Sequence, residues 1–244
     1  MFKAITNSLL SVAFPQSCHC CKNPVRSLSD GVACEKCWQQ TRMFSTDDAV
    51  CPKCGNLLAK SSIGSTSKCH QCSEHEYDSA VAAGVYENAL AAVVLELKKS
   101  PHLFKRSRSL LLAAYERSGF SDSSLIIPVP LSAKRRIERG FNQAEIVGEF
   151  LSKQTRIPID SHSLVRRVHT PMHRAGMDRK AREATVKNAF EVRRPKLING
   201  RSILLVDDIF TSGVTASYCA KVLKKNGASK VNVLTLARAV SLHS

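Results

Sequence analysis

Apolar residues from residue 77 onward occur in short runs, separated by longer stretches in which they recur every three or four positions. Short runs bounded by turn residues predict strands, and the longer periodic stretches predict helices. The predicted strands span 80–85, 125–129, 164–168, 203–207 and 230–237. The predicted helices span 89–98, 107–117, 143–153 and 216–226, with a further helical turn at 179–185. This alternation predicts an α/β fold, with a mostly parallel sheet flanked by helices on both faces.

A strand that runs into two acids and a small-residue turn defines the segment 203–216, ILLVDDIFTSGVTA. The free N–H groups and the dipole at the start of the following helix favour a bound phosphate. Gly213 permits close approach of the backbone, and the neighbouring hydroxyls add donors. Asp207 and Asp208 are acceptors suited to the vicinal hydroxyls of a ribose. The segment therefore predicts a 5-phosphoribosyl site, although a buried strand followed by a hydroxyl-capped helix would give a similar pattern.

This order of residues resembles the phosphoribosyl pyrophosphate (PRPP) loop of the type I phosphoribosyltransferases. The resemblance implies that PRPP binds here with Mg²⁺. Thr211 stands where the 6-oxopurine enzymes carry the Asp that faces the purine, which disfavours hypoxanthine or guanine as the acceptor. The candidate catalytic residues are Asp207 and Asp208, and the candidate PRPP-binding residues are Asp207, Asp208, Thr211, Ser212, Gly213, Val214 and Thr215.

Four C-x-x-C pairs account for eight of the ten cysteines, and all eight lie before residue 73. Each pair can direct two thiolates at one ion, and two pairs complete the tetrahedral sulfur shell that suits zinc. The pairs therefore predict two structural zinc ions, most simply with the first pair joined to the second and the third to the fourth. A cross-braced pairing stays open. The candidate ligands are Cys18, Cys21, Cys34, Cys37, Cys51, Cys54, Cys69 and Cys72.

A disulfide framework is the alternative explanation of these cysteines, and it requires an oxidising compartment. The first fourteen residues are interrupted by polar residues, including Thr6, Asn7 and Ser8, and do not resemble a secretory signal. No apolar run is long enough to span a membrane. We therefore expect zinc rather than disulfides, and a cytoplasmic location.

The formal net charge of +16 is unevenly distributed over the 244 residues. Residues 1–76 hold 8 Lys and Arg against 6 Asp and Glu, whereas residues 77–244 hold 28 against 14. The excess in the second part favours polyanionic partners, either nucleic acid or phosphorylated small molecules. A solvated basic surface without such a partner would give the same count.

Four cations follow the strand at 125–129, in the segment 131–145, LSAKRRIERGFNQAE. In a loop at the carboxyl end of a strand, opposite a phosphate loop, they would neutralise a departing pyrophosphate or clamp a nucleic-acid backbone. A solvated run of charges is the alternative, but the adjoining GFNQ favours a functional segment. The candidate rim residues are Lys134, Arg135, Arg136, Arg139, Asn142 and Gln143.

The four cysteine pairs, the KRRxxRGFNQAE segment and the VDDxxTSGxT segment, in this order, resemble the ComF/GntX family from about Cys18 to Arg238. The resemblance implies a double zinc ribbon at 1–76, a phosphoribosyltransferase-like domain at 77–244, and a role in natural competence and DNA uptake or use. Single-stranded DNA and the inner-membrane DNA-uptake machinery are the candidate partners. The chain departs from the family pattern near Arg174 and Thr185, whereas Arg182 and Phe190 match it.

Two functions of different classes fit these features. The first is a DNA-handling protein that binds single-stranded DNA and keeps a PRPP pocket for binding or regulation. The second is an active Mg²⁺-dependent phosphoribosyltransferase of nucleotide metabolism, which would displace pyrophosphate from PRPP. We expect the family role with PRPP binding, and turnover stays open because nothing in the sequence identifies an acceptor.

Overall fold

The computed structural model describes residues 16–26, 31–58, 69, 72–167 and 188–240. The strands are β1 (Gln16–Ser17), β2 (Pro24–Val25), β3 (Ser79–Val85), β4 (Leu125–Pro128), β5 (Leu164–Arg166), β6 (Phe190–Val192), β7 (Ser202–Phe210) and β8 (Lys230–Arg238). The helices are α1 (Glu35–Gln39), α2 (Asn88–Glu96), α3 (Lys105–Ser118), α4 (Ala133–Arg139), α5 (Gln143–Thr155), α6 (Pro195–Ile198) and α7 (Val214–Lys225). The predicted helical turn at 179–185 lies outside the described residues, as do Arg174, Arg182 and Thr185.

A four-stranded parallel sheet in the order β3-β8-β7-β4 forms the centre of the molecule. Helices α2, α3 and α5 cover one face, where Leu204 and Leu234 point, and α7 covers the other, where Leu205 and Val233 point. Strands covered on both faces are apolar at almost every position, which explains the continuous Ile, Leu and Val runs in β4, β7 and β8. The predicted α/β fold and its parallel sheet are confirmed.

Two elements that carry candidate site residues differ from the sequence prediction. Strand β7 was expected to end at Asp207, but it continues through the acid pair to Phe210 because Ile209 and Phe210 still pair with β8. The cation segment was expected to be a loop, but it forms α4. The Ser132 hydroxyl caps this helix by accepting from the Arg135 N–H at 3.4 Å, and Gly140 ends it in the left-handed region.

The cysteine-rich segment packs directly against the sheet domain. Trp38, only 2% exposed, lies in one hydrophobic core with Cys37 and with Val93 of α2. The Arg106 guanidinium stacks 4.7 Å from the centre of the Trp38 ring and pairs with Glu35. The first two cysteine pairs therefore share their core with the α2–α3 face of the sheet, whereas Cys51, Cys54 and Cys72 belong to the core on the α7 face.

Candidate functional site

The acid pair lies inside β7, near the carboxyl end of the sheet. Neighbouring side chains of a strand point to opposite faces, so Asp207 lies on the α7 face and Asp208 on the α2 face. Asp208 is buried and Asp207 is half-buried. The Asp208 N–H donates to Asp207 Oδ1 at 2.9 Å. The two side chains therefore leave the strand on opposite faces, and their carboxyl groups still lie close enough to interact directly at its end.

Electrostatics at the acid pair favour a cationic or hydrogen-bonding ligand. Burial, together with the neighbouring charge of Asp208, raises the pKa of Asp207 well above its ordinary value, against the opposing effect of the Asp208 amide. A ligand that donates hydrogen bonds to this carboxylate would offset the cost of keeping it charged.

The turn after the acids leads into α7. Gly213 is the residue before the helix, with φ of 77°, and its carbonyl accepts the first helical hydrogen bond from Ser217 at 2.8 Å. Thr211 is exposed, Ser212 and Thr215 are half-buried, and the Val214 side chain is buried. The N–H groups that open the twelve-residue α7 therefore face the same strand end as the acids.

Gly213 fits where no other residue would. A Cβ atom at this position would lie 2.6 Å from Cζ of Phe210 and 3.0 Å from Cε1 of His75. Its positive φ adds a second reason for glycine. The turn thus packs tightly on aromatic side chains from the sheet and from the end of the cysteine-rich segment.

The predicted rim residues divide into the cations of α4 and a buried corner behind it. Of the cations, Lys134 and Arg136 are exposed and Arg135 and Arg139 are half-buried. Arg136 pairs with Glu145 at 3.0 Å. Asn142 and Gln143 are buried. The Asn142 side chain caps α5 by accepting from the Ala144 N–H at 3.2 Å and donates to the Val129 carbonyl at 3.0 Å. Asn142 therefore fixes the corner between α4 and α5, and the cations project from it.

Arg135 and Arg166 connect this rim to the acid pair. Arg166 lies at the end of β5, bridged along the backbone to Ser132, and its guanidinium is 5.3 Å from the centre of the Phe190 ring. Burial, then the charge of Arg135, lowers the pKa of Arg166, whereas Cys219 and then Asp207 oppose this shift. Arg166 was missed in the sequence. It lies inside the predicted strand at 164–168, and a cation among apolar strand residues is the signal that could have identified it.

Tyr86 was also missed. It follows β3, donates its N–H to the Arg238 carbonyl at 2.7 Å, and lies on the Asp208 face of the sheet. Burial, then the Asp208 charge, raises the pKa of its phenol. The carboxyl ends of β3, β8 and β7 thus bring Tyr86, Arg238 and the acids to one edge.

The eight C-x-x-C cysteines form two separate clusters, one from the first two pairs and one from the last two. In the first cluster the Cys18 and Cys37 sulfurs are 3.7 Å apart; in the second, the Cys51 and Cys72 sulfurs are 3.6 Å apart. Four sulfurs bound to one zinc ion at about 2.3 Å lie about 3.8 Å from one another. The geometry therefore fits one zinc per cluster, and the sequential pairing is confirmed over the cross-braced one.

Backbone N–H groups prepare both clusters for metal. Burial alone would raise the pKa of Cys18, but the N–H groups of Cys20, Cys21 and Cys34 lower it to about 6. The pKa of Cys51 falls to about 7 in the same way. Burial raises the pKa of Cys37 and of Cys72 instead, so each cluster joins one cysteine that readily becomes a thiolate to others that need the metal to lose their protons.

Comparison with known proteins agrees with this architecture. Residues 9–74 match the family model of the double zinc ribbon domain. The "DNA utilization protein YhgH" of Shigella flexneri is 31% identical over 232 residues, which cover 92% of this chain and 97% of that protein. The "Competence protein F" of Haemophilus influenzae is 30% identical over 231 residues, which cover 91% and 96%.

Within the described ranges, no helix combines the length and the apolar character needed to cross a membrane.

A solved structure of the glutamine PRPP amidotransferase from B. subtilis aligns with 58% of this chain and 30% of that chain, at 15% identity and a TM-score of 0.39. The near full-length sequence relatives, the double zinc ribbon and the parallel sheet together place this chain in the ComF family, whose members join a double zinc ribbon to a phosphoribosyltransferase-like domain.

Proposed function

We propose that this protein binds PRPP with Mg²⁺ at the carboxyl end of its sheet and acts in the uptake or use of DNA, where it binds single-stranded DNA. The observation that carries the proposal is the arrangement around the end of β7. The acid pair, the Gly213 turn and the Arg135–Arg166 cations converge there from four elements of the fold. The acids suit the ribose hydroxyls of PRPP, the free N–H groups at the start of α7 suit its 5-phosphate, and the two cations suit its pyrophosphate.

Each group has a distinct role in this proposal. The N–H groups from Gly213 to Thr215 hold the 5-phosphate, helped by the Ser212 and Thr215 hydroxyls. Asp207 and Asp208 accept hydrogen bonds from the ribose hydroxyls. Arg135 and Arg166 neutralise the pyrophosphate. Mg²⁺, when bound with PRPP, would supply additional positive charge to the pyrophosphate oxygens.

The names of the sequence relatives and the positive charge of α4 both support the proposed role with DNA. The relatives named above are a DNA utilization protein and a competence protein. The cations of α4, none of which is buried, offer phosphate contacts that do not depend on base sequence. Thiolate clusters of this kind need a reducing compartment, so we place the protein in the cytoplasm, on the inner side of any DNA-uptake machinery.

Calorimetric titration of the zinc-loaded protein with PRPP and Mg²⁺ tests the pocket. Asp207→Asn combined with Asp208→Asn should abolish binding, because both ribose acceptors lose their charge. The matched control, Asp47→Asn with Asp122→Asn, removes the same charge from exposed positions and should bind like the parent. Parent-like binding by the acid-pair variant, or no binding by the parent, would refute the assignment.

Catalytic turnover is a second candidate function, favoured by Arg166, whose guanidinium interacts with the charges of Arg135 and Asp207 where a leaving pyrophosphate would need neutralisation. An active phosphoribosyltransferase would release pyrophosphate once an acceptor is supplied. Pyrophosphate release from PRPP, measured with a panel of nucleobases and with single-stranded DNA, distinguishes the two. If the parent releases pyrophosphate faster than the acid-pair variant does, the protein is an enzyme. If the parent binds PRPP but releases no pyrophosphate, it is a PRPP-regulated DNA-binding protein.

A further inference from the structure

Arg238, the last residue of β8, joins the sheet to the second cysteine cluster. Its side chain is buried, and its guanidinium donates to the carbonyl and to the Sγ atom of Cys54, the latter at 3.6 Å. It also donates to Asn56 Oδ1 at 3.4 Å. A cation beside a zinc–tetrathiolate centre offsets part of the centre's net negative charge, and charge-assisted hydrogen bonds of this kind are strong.

The same guanidinium supports the phosphate turn. It lies 4.7 Å from the centre of the Phe210 ring, and Tyr77 meets that ring edge-on at 5.7 Å. Phe210 and His75 are the side chains that pack directly against Gly213. His75 shares a 2.7 Å hydrogen bond between its Nδ1 atom and the Tyr77 hydroxyl. A continuous set of contacts therefore runs from Cys54 through Arg238 and Phe210 to the turn.

The first cluster makes its contacts elsewhere. Its neighbours are Trp38 and the helices α2 and α3, through the Arg106–Glu35 pair and the 3.7 Å contact between His19 and Glu96. Those helices cover the face of the sheet opposite to α7. The two clusters thus contact different parts of the sheet domain, although each has the same four cysteine ligands.

We propose that Arg238 couples the second zinc centre to the phosphate turn, so that the turn keeps its binding geometry only while zinc is held by the last two cysteine pairs. The ligand in this proposal, PRPP, rests on the proposed function, whereas the coupling rests on the contacts alone. Arg238 is a positioning residue. Without metal, nothing holds the backbone around Cys54 in place, so Arg238 loses the Cys54 groups that accept its hydrogen bonds. The Phe210 ring, which packs against Gly213, then loses its contact with the Arg238 guanidinium and can move.

Hydrogen–deuterium exchange on the full zinc-loaded protein tests the coupling, with peptides over 211–217 as the readout and peptides over 203–206 as the internal reference. Cys54→Ser disrupts the second centre, and Cys21→Ser, an exposed ligand, disrupts the first as the matched control. Arg238→Met breaks the connection while leaving all eight ligands, and Arg238→Lys restores the charge. Zinc content and calorimetric binding of PRPP with Mg²⁺ are measured on each variant.

We expect exchange over 211–217 to be faster by about tenfold in Cys54→Ser and in Arg238→Met, because losing a charge-assisted bond opens the turn locally. Arg238→Lys should lie between Arg238→Met and the parent, and Cys21→Ser should exchange like the parent. PRPP affinity should fall in the same order, with two zinc ions retained in Arg238→Met.

Parent-like exchange in Arg238→Met, or equal effects of Cys21→Ser and Cys54→Ser, would overturn the proposal. If Cys54→Ser does not fold, the two Arg238 variants decide, since their zinc ligands are intact. A parent that fails to bind PRPP but shows the expected exchange pattern would refute the proposed function and leave the coupling standing.

Discussion

Replacing the four cations of α4 should weaken binding of single-stranded DNA by a similar factor for every base sequence. The variant is Lys134→Ala, Arg135→Ala, Arg136→Ala and Arg139→Ala. Contacts to phosphate carry no sequence information, and their number sets the dependence of the association constant on salt. No side chain of α4 is buried, so the substitutions should leave the fold intact.

The structure sets the expected magnitude. Each phosphate contact on a single strand contributes about 0.7 to the slope of log K against log salt. Arg136 is already paired with Glu145, a carboxylate whose side chain is only 14% exposed, so we count three available cations instead of four. The slope should therefore flatten by about 2 in the quadruple variant.

Fluorescence anisotropy with labelled oligonucleotides of unrelated sequence, across a salt series, measures this slope. The matched control removes four exposed cations near the amino-terminal ends of the strands and should keep the parent slope: Lys153→Ala, Arg194→Ala, Lys196→Ala and Arg201→Ala. An unchanged slope in the α4 variant would move the DNA surface elsewhere, with 98–108 as the next segment to test. An equal loss in both variants would indicate non-specific attraction by net charge. If the parent protein does not bind single-stranded DNA at low salt, the DNA role is refuted and only the binding of a small phosphorylated ligand is left.

Three further predictions concern stability. Reduced, unchelated protein should contain two equivalents of zinc, and a chelator should unfold the ribbon because metal binding provides its folding free energy; less than one equivalent by metal analysis would contradict this. Asp207→Asn should raise the melting temperature, and the difference should grow as pH rises above about 4, the ordinary carboxyl pKa, because the raised pKa of Asp207 makes the parent lose stability there; a difference that does not change with pH in scanning fluorimetry would count against it. Gly213→Ala should cost about 1–3 kcal/mol in denaturant unfolding, from its positive φ and the Phe210 contact, whereas the exposed Gly119→Ala, with nothing within 4 Å, should cost less.

The elements of the sheet domain were predictable because their signals are local. Apolar runs covered on both faces identified β4, β7 and β8, and three-residue periodicity identified the longer helices. Helix α4 was equally predictable in principle, since Ser132 and Gly140 are ordinary helix start and stop signals. The density of charge between them led to the loop assignment instead. Strand β5 lies within the predicted strand at 164–168, whereas the three-residue β6 was not predicted because it is too short to show a periodicity.

The sequence by itself determined the chemistry of each group: a C-x-x-C pair places two thiolates on one ion, and a strand–turn–helix with glycine leaves amides free for phosphate. Only the tertiary structure decided which groups meet. Continued pairing with β8 carries β7 past the acids, so Asp207 and Asp208 take opposite faces. Tyr86 reaches the site because β3 ends at the same edge of the sheet as β7, and Arg166 reaches it because β5, in a separate two-stranded sheet with β6, is bridged to Ser132. Arg238 meets Cys54 across 184 residues of chain. Such contacts depend on how distant segments pack, and local propensity contains no information about that packing.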